Sequence, residues 1–157
     1  MGESSGAKAN KTGNVLEQMI RQLLESRSYV YVRAKDFADA QSGTLANRPI
    51  YTTQALIGKT IYDTDRKCDF LLHHPQRFPQ NLVIECKWQQ TGGSVDEKFP
   101  FLIENIRLLG IPTIIVADGG GHKPGAITWM KMQENDILLG VYTLQEFMIK
   151  MNDGLCG

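Results

Sequence analysis

The sequence predicts a single α/β (α+β) domain with a mixed central sheet flanked by helices. Its 157 residues suit one domain, and 42% of them are hydrophobic, which is enough for a packed core. Segments with apolar residues at helical spacing alternate with short runs rich in β-branched residues. Their order of helix, strands, helix, strand, strand and helix is typical of a sheet covered by helices.

The N-terminal part predicts a leader and a first helix. Residues 1–13 are small and polar without apolar periodicity, so we expect a flexible leader ahead of one domain at residues 14–157. Asn14 is a suitable N-cap for the helix that follows it. The apolar stripe of this helix consists of Val15, Leu16, Met19, Ile20, Leu23 and Leu24.

Strands are predicted in the next part of the chain. Residues 29–33 alternate aromatic and β-branched side chains as a strand does, whereas residues 35–58 contain no pattern that assigns them. Residues 60–72 and 81–88 predict two further strands. The turn-rich segment HHPQRFPQ between them indicates a hairpin with a long connection.

A second helix is predicted after these strands. Ser94 and Glu97 have the spacing of a capping box ahead of apolar residues at helical spacing. We expect the regular helix to begin near Phe99, because Pro100 fits only a first turn. Gly110 is a suitable end for it.

The C-terminal part predicts two strands and a last helix. Residues 113–117 form a buried-strand pattern, residues 127–130 a short apolar piece, and residues 137–142 another strand. Thr143 and Glu146 repeat the capping-box spacing ahead of the final helical pattern.

Composition argues against several classes of protein. Seventeen basic and seventeen acidic residues give a formal net charge of zero. A protein that coats nucleic acid through bulk positive charge would have a large positive net charge. The apolar runs are too short to cross a membrane and the first residues contain no apolar signal region, so we expect a cytoplasmic protein. Three cysteines without C-x-x-C spacing favour reduced thiols over a disulfide framework.

The segment IECKW carries the candidate chemistry. Successive strand residues point to opposite faces, so Glu85 and Lys87 share one side while Cys86 faces the other. If the preceding strand pairs antiparallel with this one, Asp69 in KCDFLL lies beside Glu85. Two adjacent carboxylates are the hard oxygen ligands that Mg²⁺ prefers. This combination suits phosphodiester hydrolysis, with Lys87 acting either on a water molecule or on the charge of the transition state.

These residues resemble those of a known family. Asp69, a spacer of fifteen residues and Glu85-Cys86-Lys87 match the PD-(D/E)XK nuclease pattern. The surrounding segments YDTDRKCDFLL and LVIECKWQQTGGSVDEKFPF are similar to type II restriction endonucleases of that superfamily. The resemblance covers roughly residues 14–142 and implies a restriction-endonuclease-like αβββαβ core. Cys68 stands where the family usually has proline.

The resemblance implies a Mg²⁺-dependent, site-specific DNA endonuclease, with Mn²⁺ as a substitute metal. Asp69 and Glu85 would bind the metal, together with the Cys86 backbone carbonyl, and Lys87 would assist the water. Glu17 occupies the place of an acidic residue on the first helix that often joins the metal site. Double-stranded DNA is the expected substrate, and one centre per domain favours a homodimer.

Candidate DNA contacts flank this centre. Arg66, Lys67, Gln89 and Gln90 lie next to the catalytic residues in sequence, and any of them could simply be solvated. The loop DGGGHKPG lacks the motif of a nucleotide-binding loop and is expected to be a flexible turn. Two of its residues could still reach a DNA backbone: His122 and Lys123.

Each assignment has a less specific alternative. The charged residues of the centre could form a structural ion pair, and Glu17 could pair with Arg21 one helical turn away. A zinc site formed by Cys68, His73 and Cys86 fits no strong spacing.

The same centre would also serve a homing endonuclease, a junction resolvase or a repair nuclease. A catalytically silent member of the fold that binds DNA or a protein is the alternative from another class. Motif residues alone do not exclude RNA as the substrate.

Overall fold

A six-stranded mixed sheet with helices on both faces forms the molecule. The computed structural model describes the backbone of residues 5–157 and the side chains from residue 14 onward. The helices are α1 (Ser5–Ser26), α2 (Phe37–Ser42), α3 (Phe99–Leu109), α4 (Pro124–Met132) and α5 (Leu144–Asn152). The strands are β1 (Val30–Tyr31), β2 (Ile50–Lys59), β3 (Asp65–His74), β4 (Phe78–Trp88), β5 (Thr113–Asp118) and β6 (Leu138–Tyr142).

The strands lie in the sheet in the same order as in the chain. β2, β3 and β4 form an antiparallel meander, whereas β5 and β6 run parallel to β4. Parallel neighbours need a crossover, and α3 and α4 supply the two crossovers. This arrangement confirms the predicted mixed sheet flanked by helices.

The two faces of the sheet are covered by different helices. α1 and α5 bury one face through residues such as Ile20 and Phe147, which pack with Phe70 and Ile84 of the central strands. On the other face α3 and α4 cover β5 and β6, while α2 covers β2 and β3. β4 therefore lies at the centre of the molecule, with neighbours on both sides and on both faces.

Several boundaries differ from the sequence prediction. The first helix begins at Ser5 rather than at Asn14, and Ala7 and Ala9 have high helix propensity. The unassigned residues 35–58 contain α2 and most of β2. The short apolar piece at residues 127–130 lies within α4. Residues 1–4 of the predicted leader lie outside the described residues.

The prediction for residues 60–72 was wrong over its first part. The strand begins at Asp65, because the Thr60 hydroxyl accepts hydrogen bonds from the backbone N–H groups of Tyr62 and Thr64 and closes a turn. The connection between β3 and β4 was predicted to be long, but the strands extend to His74 and Phe78 and leave a short turn.

Helix ends were predicted with mixed success. The Thr143 hydroxyl accepts a hydrogen bond from the Glu146 backbone N–H at 3.2 Å, as predicted. Gly110 ends α3 with a left-handed φ of 67°, and its N–H donates to the Ile106 carbonyl. The capping box at Ser94 is not formed, since a 3₁₀ turn (Asp96–Lys98) leads into α3 instead.

The three cysteines are free thiols, as expected. Within residues 5–157 no helix is both long and apolar enough to span a membrane.

Candidate active site

The candidate site lies where β3 and β4 separate. The last residue pair of their ladder on this side joins Phe70 to Ile84. Beyond it, the Asp69 Oδ2 atom accepts a hydrogen bond from the Cys86 backbone N–H at 2.7 Å. A carboxylate thus takes the place of a backbone acceptor, which satisfies a buried N–H and fixes Asp69 against the Glu85-Cys86-Lys87 segment.

Glu85 is a buried carboxyl group, 4% exposed. Its pKa is raised to about 7, first by burial and then by the charge of Asp69 and a hydrogen bond with the Asp69 side chain, while Lys87 and Arg66 act to lower it. When two carboxyl groups interact in this way, the full ionisation of both is disfavoured. The predicted proximity of Asp69 and Glu85 is therefore present in the structure.

Arg66 is the basic partner of Glu85. Its Nη2 atom donates to Glu85 Oε1 at 3.1 Å, and both side chains are almost fully buried, at 7% and 6% exposed. The sequence suggested Arg66 as a DNA contact, but its guanidinium is directed at the Glu85 carboxylate. Removing either member of such a buried pair would leave the other uncompensated.

Glu85 and Lys87 line the same cleft, as their spacing predicted, and Cys86 and Trp88 pack against the core on the opposite face. The cleft has a volume of about 260 Å³ and lies between the sheet and α3. Lys67 and Lys98 also line it, and both are exposed. The Lys87 ammonium is thus within an open, basic cleft beside a buried acid.

Glu17 approaches this centre from α1. Burial raises its pKa, the charge of Asp69 raises it further, and Lys87 lowers it. Arg21, the alternative partner of Glu17, instead donates to the Tyr51 hydroxyl at 3.2 Å and stacks over the Tyr31 ring. Glu17 therefore lies near Asp69 and Lys87, and its part in a metal site stays a prediction.

Gln54 was not singled out from the sequence. β2 pairs Thr53 with Phe70 and Ala55 with Cys68, so Gln54 lies opposite Asp69. Its backbone has a φ of 53°, which is unusual for glutamine in a strand. Its Nε2 atom donates to Asp69 Oδ1 at 3.4 Å. No residue pattern in the sequence marks such a position.

A second buried polar cluster lies beside the site and joins Gln89, Asp96 and His122. Asp96 Oδ1 contacts His122 Nδ1 at 2.8 Å, and Asp96 Oδ2 accepts from the Lys123 backbone N–H at 2.9 Å. The Gln89 amide bridges Asp96, the Gly121 carbonyl and the Val95 N–H. This cluster fastens the loop after β4 to the loop after β5.

The predicted DNA contacts therefore divide into two groups. Arg66, Gln89 and His122 are directed inward, and the His122 side chain is 5% exposed. The other three are exposed: Lys67, Gln90 and Lys123. Exposure depends on partners distant in sequence, which is why sequence proximity did not separate these groups.

A divalent metal ion fits part of this donor set. Among the residues that the structure describes, no three His, Cys, Asp or Glu side chains converge as a ready-made metal site, and this includes the zinc alternative. Asp69 and Glu85 nevertheless offer two adjacent carboxylates whose mutual repulsion a cation would relieve, and the Cys86 carbonyl follows Glu85 directly. Mg²⁺ keeps several waters, so two carboxylates and one carbonyl suit it.

One comparison with known proteins gives a match. A family model described as a PD-(D/E)XK nuclease superfamily domain matches residues 8–155, and the six-stranded sheet with its helices is consistent with the fold of that superfamily. No curated protein and no solved structure matches the chain.

Proposed function

The chain belongs to the PD-(D/E)XK nuclease superfamily, and from this premise we propose that it is a Mg²⁺-dependent, site-specific DNA endonuclease. The membership itself indicates a nuclease. The observation that supports the proposal most is the pair of carboxyl groups, Asp69 and Glu85, held together by the Cys86 N–H beside the Lys87 ammonium. An ion pair that served only the fold would not need a second acid against Glu85.

In this proposal Asp69, Glu85 and the Cys86 carbonyl would hold the metal ion, with Glu17 as a further acid. The ion, when bound, would stabilise charge on the phosphate and lower the pKa of a bound water; Mn²⁺ would substitute for Mg²⁺. Glu85 must lose its proton to become a ligand, and a pKa of about 7 places that loss near neutral pH. Arg66 positions the Glu85 carboxylate through their hydrogen bond.

Lys87 would act on the substrate. Its ammonium lines the same cleft as Glu85, where a scissile phosphate would have both groups beside it. There it either orients the attacking water or balances the charge of the transition state. The exposed Lys67, Gln90 and Lys123 remain candidates for contact with the DNA backbone. One centre per domain favours a homodimer for cutting both strands.

The experiment is cleavage of supercoiled plasmid and long linear DNA in Mg²⁺, in Mn²⁺ and in EDTA. We expect discrete fragments from wild type with either metal, and none from Lys87→Ala. The matched control is Lys150→Ala, which removes an exposed lysine from α5 and should cleave as wild type does.

Intact DNA across plasmid, flap, junction and single-stranded substrates would contradict the proposal and favour a catalytically silent binding protein. Cleavage confined to branched or damaged DNA would retain the chemistry and replace the restriction-like role with that of a junction resolvase or a repair nuclease. A single cut in long genomic DNA would indicate a homing endonuclease.

A further inference from the structure

The turn between β2 and β3 presents an exposed aromatic side chain beside the catalytic cleft. Tyr62 is 74% exposed at the tip of this turn. Its ring stacks on Phe101 of α3, with centroids 5.1 Å apart and an interplanar angle of 28°. Phe101 also lines the cleft that holds Glu85 and Lys87. The aromatic pair therefore continues the wall of the cleft out to the surface.

The turn that carries Tyr62 is held in place by hydrogen bonds. The Thr60 hydroxyl accepts from the N–H groups of Tyr62 and Thr64, and the two threonine hydroxyls contact each other at 2.7 Å. The Ile61 N–H donates to the buried Asn105 side chain of α3 at 2.9 Å. A turn fixed to a helix in this way keeps its exposed ring in one position, which reduces the entropy lost when a ligand binds.

The charges around this pair favour a nucleic acid as its occupant. Within the part of the chain that the structure describes, ion pairs engage Arg66 and Lys59, and none engages Lys67, Lys87 or Lys98 of the cleft. Three lysine ammonium groups that no close ion pair engages are available to attract phosphates. A protein partner would be expected to cover the aromatic pair with an apolar surface. The lysines beside the pair would then lose their solvent without gaining a counter-charge, which is unfavourable.

We propose that Tyr62 and Phe101 form a stacking platform for an unpaired base of the DNA strand whose phosphates lie along Lys67, Lys87 and Lys98. An aromatic ring offers a face to a base of any sequence. Bases inside a duplex are already stacked on both sides, so the platform accepts a base at an end, a bulge, a gap or a flap. The inference rests on the proposed nuclease activity and replaces its fully paired duplex substrate with DNA that has an unpaired nucleotide near the scissile phosphate.

Binding without cleavage tests the platform. The probes are two DNA duplexes of one sequence, one fully paired and one with a single unpaired 2-aminopurine, in EDTA and in Ca²⁺. We expect wild type to bind the unpaired probe roughly tenfold more tightly than the paired one and to quench its 2-aminopurine fluorescence. Tyr62→Leu should lose the preference and the quenching, and Tyr62→Phe should keep both because the ring remains.

Controls separate stacking from loss of structure and from other occupants. Tyr62 is largely exposed, so its replacement leaves the core intact. The matched control is Ile149→Ala, which removes an exposed apolar side chain of α5 on the other face of the sheet. Equal binding of the two probes by wild type would overturn the proposal, as would a preference that survives in Tyr62→Leu. Self-association of the chain that Tyr62→Leu abolishes would also overturn it, by making this surface a protein interface.

Failure of the platform and failure of the nuclease are distinguishable. Lys87→Ala should lose cleavage and bind both probes more weakly, while the ratio of the two affinities still favours the unpaired probe. If no variant and no wild-type sample cleaves any DNA but the preference persists, the endonuclease proposal fails and the platform stands. If wild type cleaves fully paired DNA and binds both probes equally, the platform fails and the endonuclease stands.

Discussion

Glu85 and Asp96 are both buried carboxyl groups that contact a basic side chain, yet their pKa values move in opposite directions. Glu85 contacts Arg66, and Asp96 contacts His122, with all four side chains between 4% and 7% exposed. Burial and, after it, the charge of Asp69 raise the pKa of Glu85 to about 7. Burial also tends to raise the pKa of Asp96, but hydrogen bonds from the Lys123 N–H and the His122 ring lower it overall.

The difference lies in what surrounds each acid. Asp96 is surrounded by donors from the Lys123 backbone, the His122 ring and the Gln89 amide, all of which favour the carboxylate. Glu85 has one donor in Arg66 and a second acid in Asp69, so its charge is only partly compensated. A carboxylate that accepts hydrogen bonds from several donors stabilises a loop, whereas a carboxylate held against another acid is suited to bind a cation.

The largest expected effect follows from removal of the Asp96 carboxylate, which accepts hydrogen bonds from three groups. Asp96→Ala leaves His122, Gln89 and the Lys123 N–H without their acceptor, and we expect it to lower the free energy of unfolding by roughly 3–5 kcal/mol. Urea unfolding of the wild type and the variant measures this loss. The matched control is Asp36→Ala, which breaks the exposed Arg33–Asp36 pair and should cost about 1 kcal/mol or less. Equal losses in the two variants would show that the buried cluster has no special structural role.

The next largest effect is the loss of cleavage when the Asp69 carboxylate beside Glu85 is replaced. Asp69→Asn keeps an acceptor for the Cys86 N–H but removes the negative charge beside Glu85. The pKa of Glu85 should therefore fall, and it should stay above its ordinary value because burial, the larger cause, remains. We expect cleavage to fall by roughly 10²–10³-fold, as for loss of one group that stabilises a transition state. NMR titration of the Glu85 carboxyl measures the pKa, and Asp36→Asn on the exposed Arg33–Asp36 pair is the control. An unchanged Glu85 pKa in Asp69→Asn would contradict the contribution assigned to the charge of Asp69.

The contrast between the two acids also marks what the sequence could predict. Alternation along IECKW placed Glu85 and Lys87 on one face, because strand periodicity is local, and the antiparallel partner of that strand brought Asp69 beside them. The Asp96 cluster joins residues more than twenty positions apart across two loops, and no local pattern encodes such a contact. β2 was missed because Gln54 and Gly58, both at positive φ, interrupt its alternation. The turn at Thr60 was predicted as a strand because Ile61 and Tyr62 have high strand propensity.

The pH dependence of stability sharpens the comparison through opposite slopes. The folded-state pKa of Glu85 lies above its ordinary value of 4.5, so between about pH 4.5 and pH 7 the folded chain binds more protons than the unfolded chain. Stability from this group therefore falls as pH rises through that window, by on the order of 3 kcal/mol in total. Asp96 has the lowered pKa, so its contribution is present above the ordinary value and is lost as pH falls.

Urea unfolding of wild type and Glu85→Gln between about pH 5 and pH 8 measures the Glu85 part of this dependence. The glutamine variant does not titrate at this position, and the difference in stability between it and wild type should change with pH. Cleavage by wild type should rise over the same range, as Glu85 becomes ionised. A difference in stability that is independent of pH would place the Glu85 pKa outside the window.

The smallest expected effect concerns Gln54, which contacts Asp69 of the candidate site. A φ of 53° is strained for glutamine and unstrained for glycine, so Gln54→Gly should raise the free energy of unfolding by about 1 kcal/mol. The same change removes the amide that donates to Asp69, and we expect cleavage to fall several-fold. Gln54→Ala removes the amide without relieving the backbone, and therefore separates the two effects. A glycine variant that is more stable and as active as wild type would mean that the Gln54 backbone is strained for a reason other than positioning Asp69.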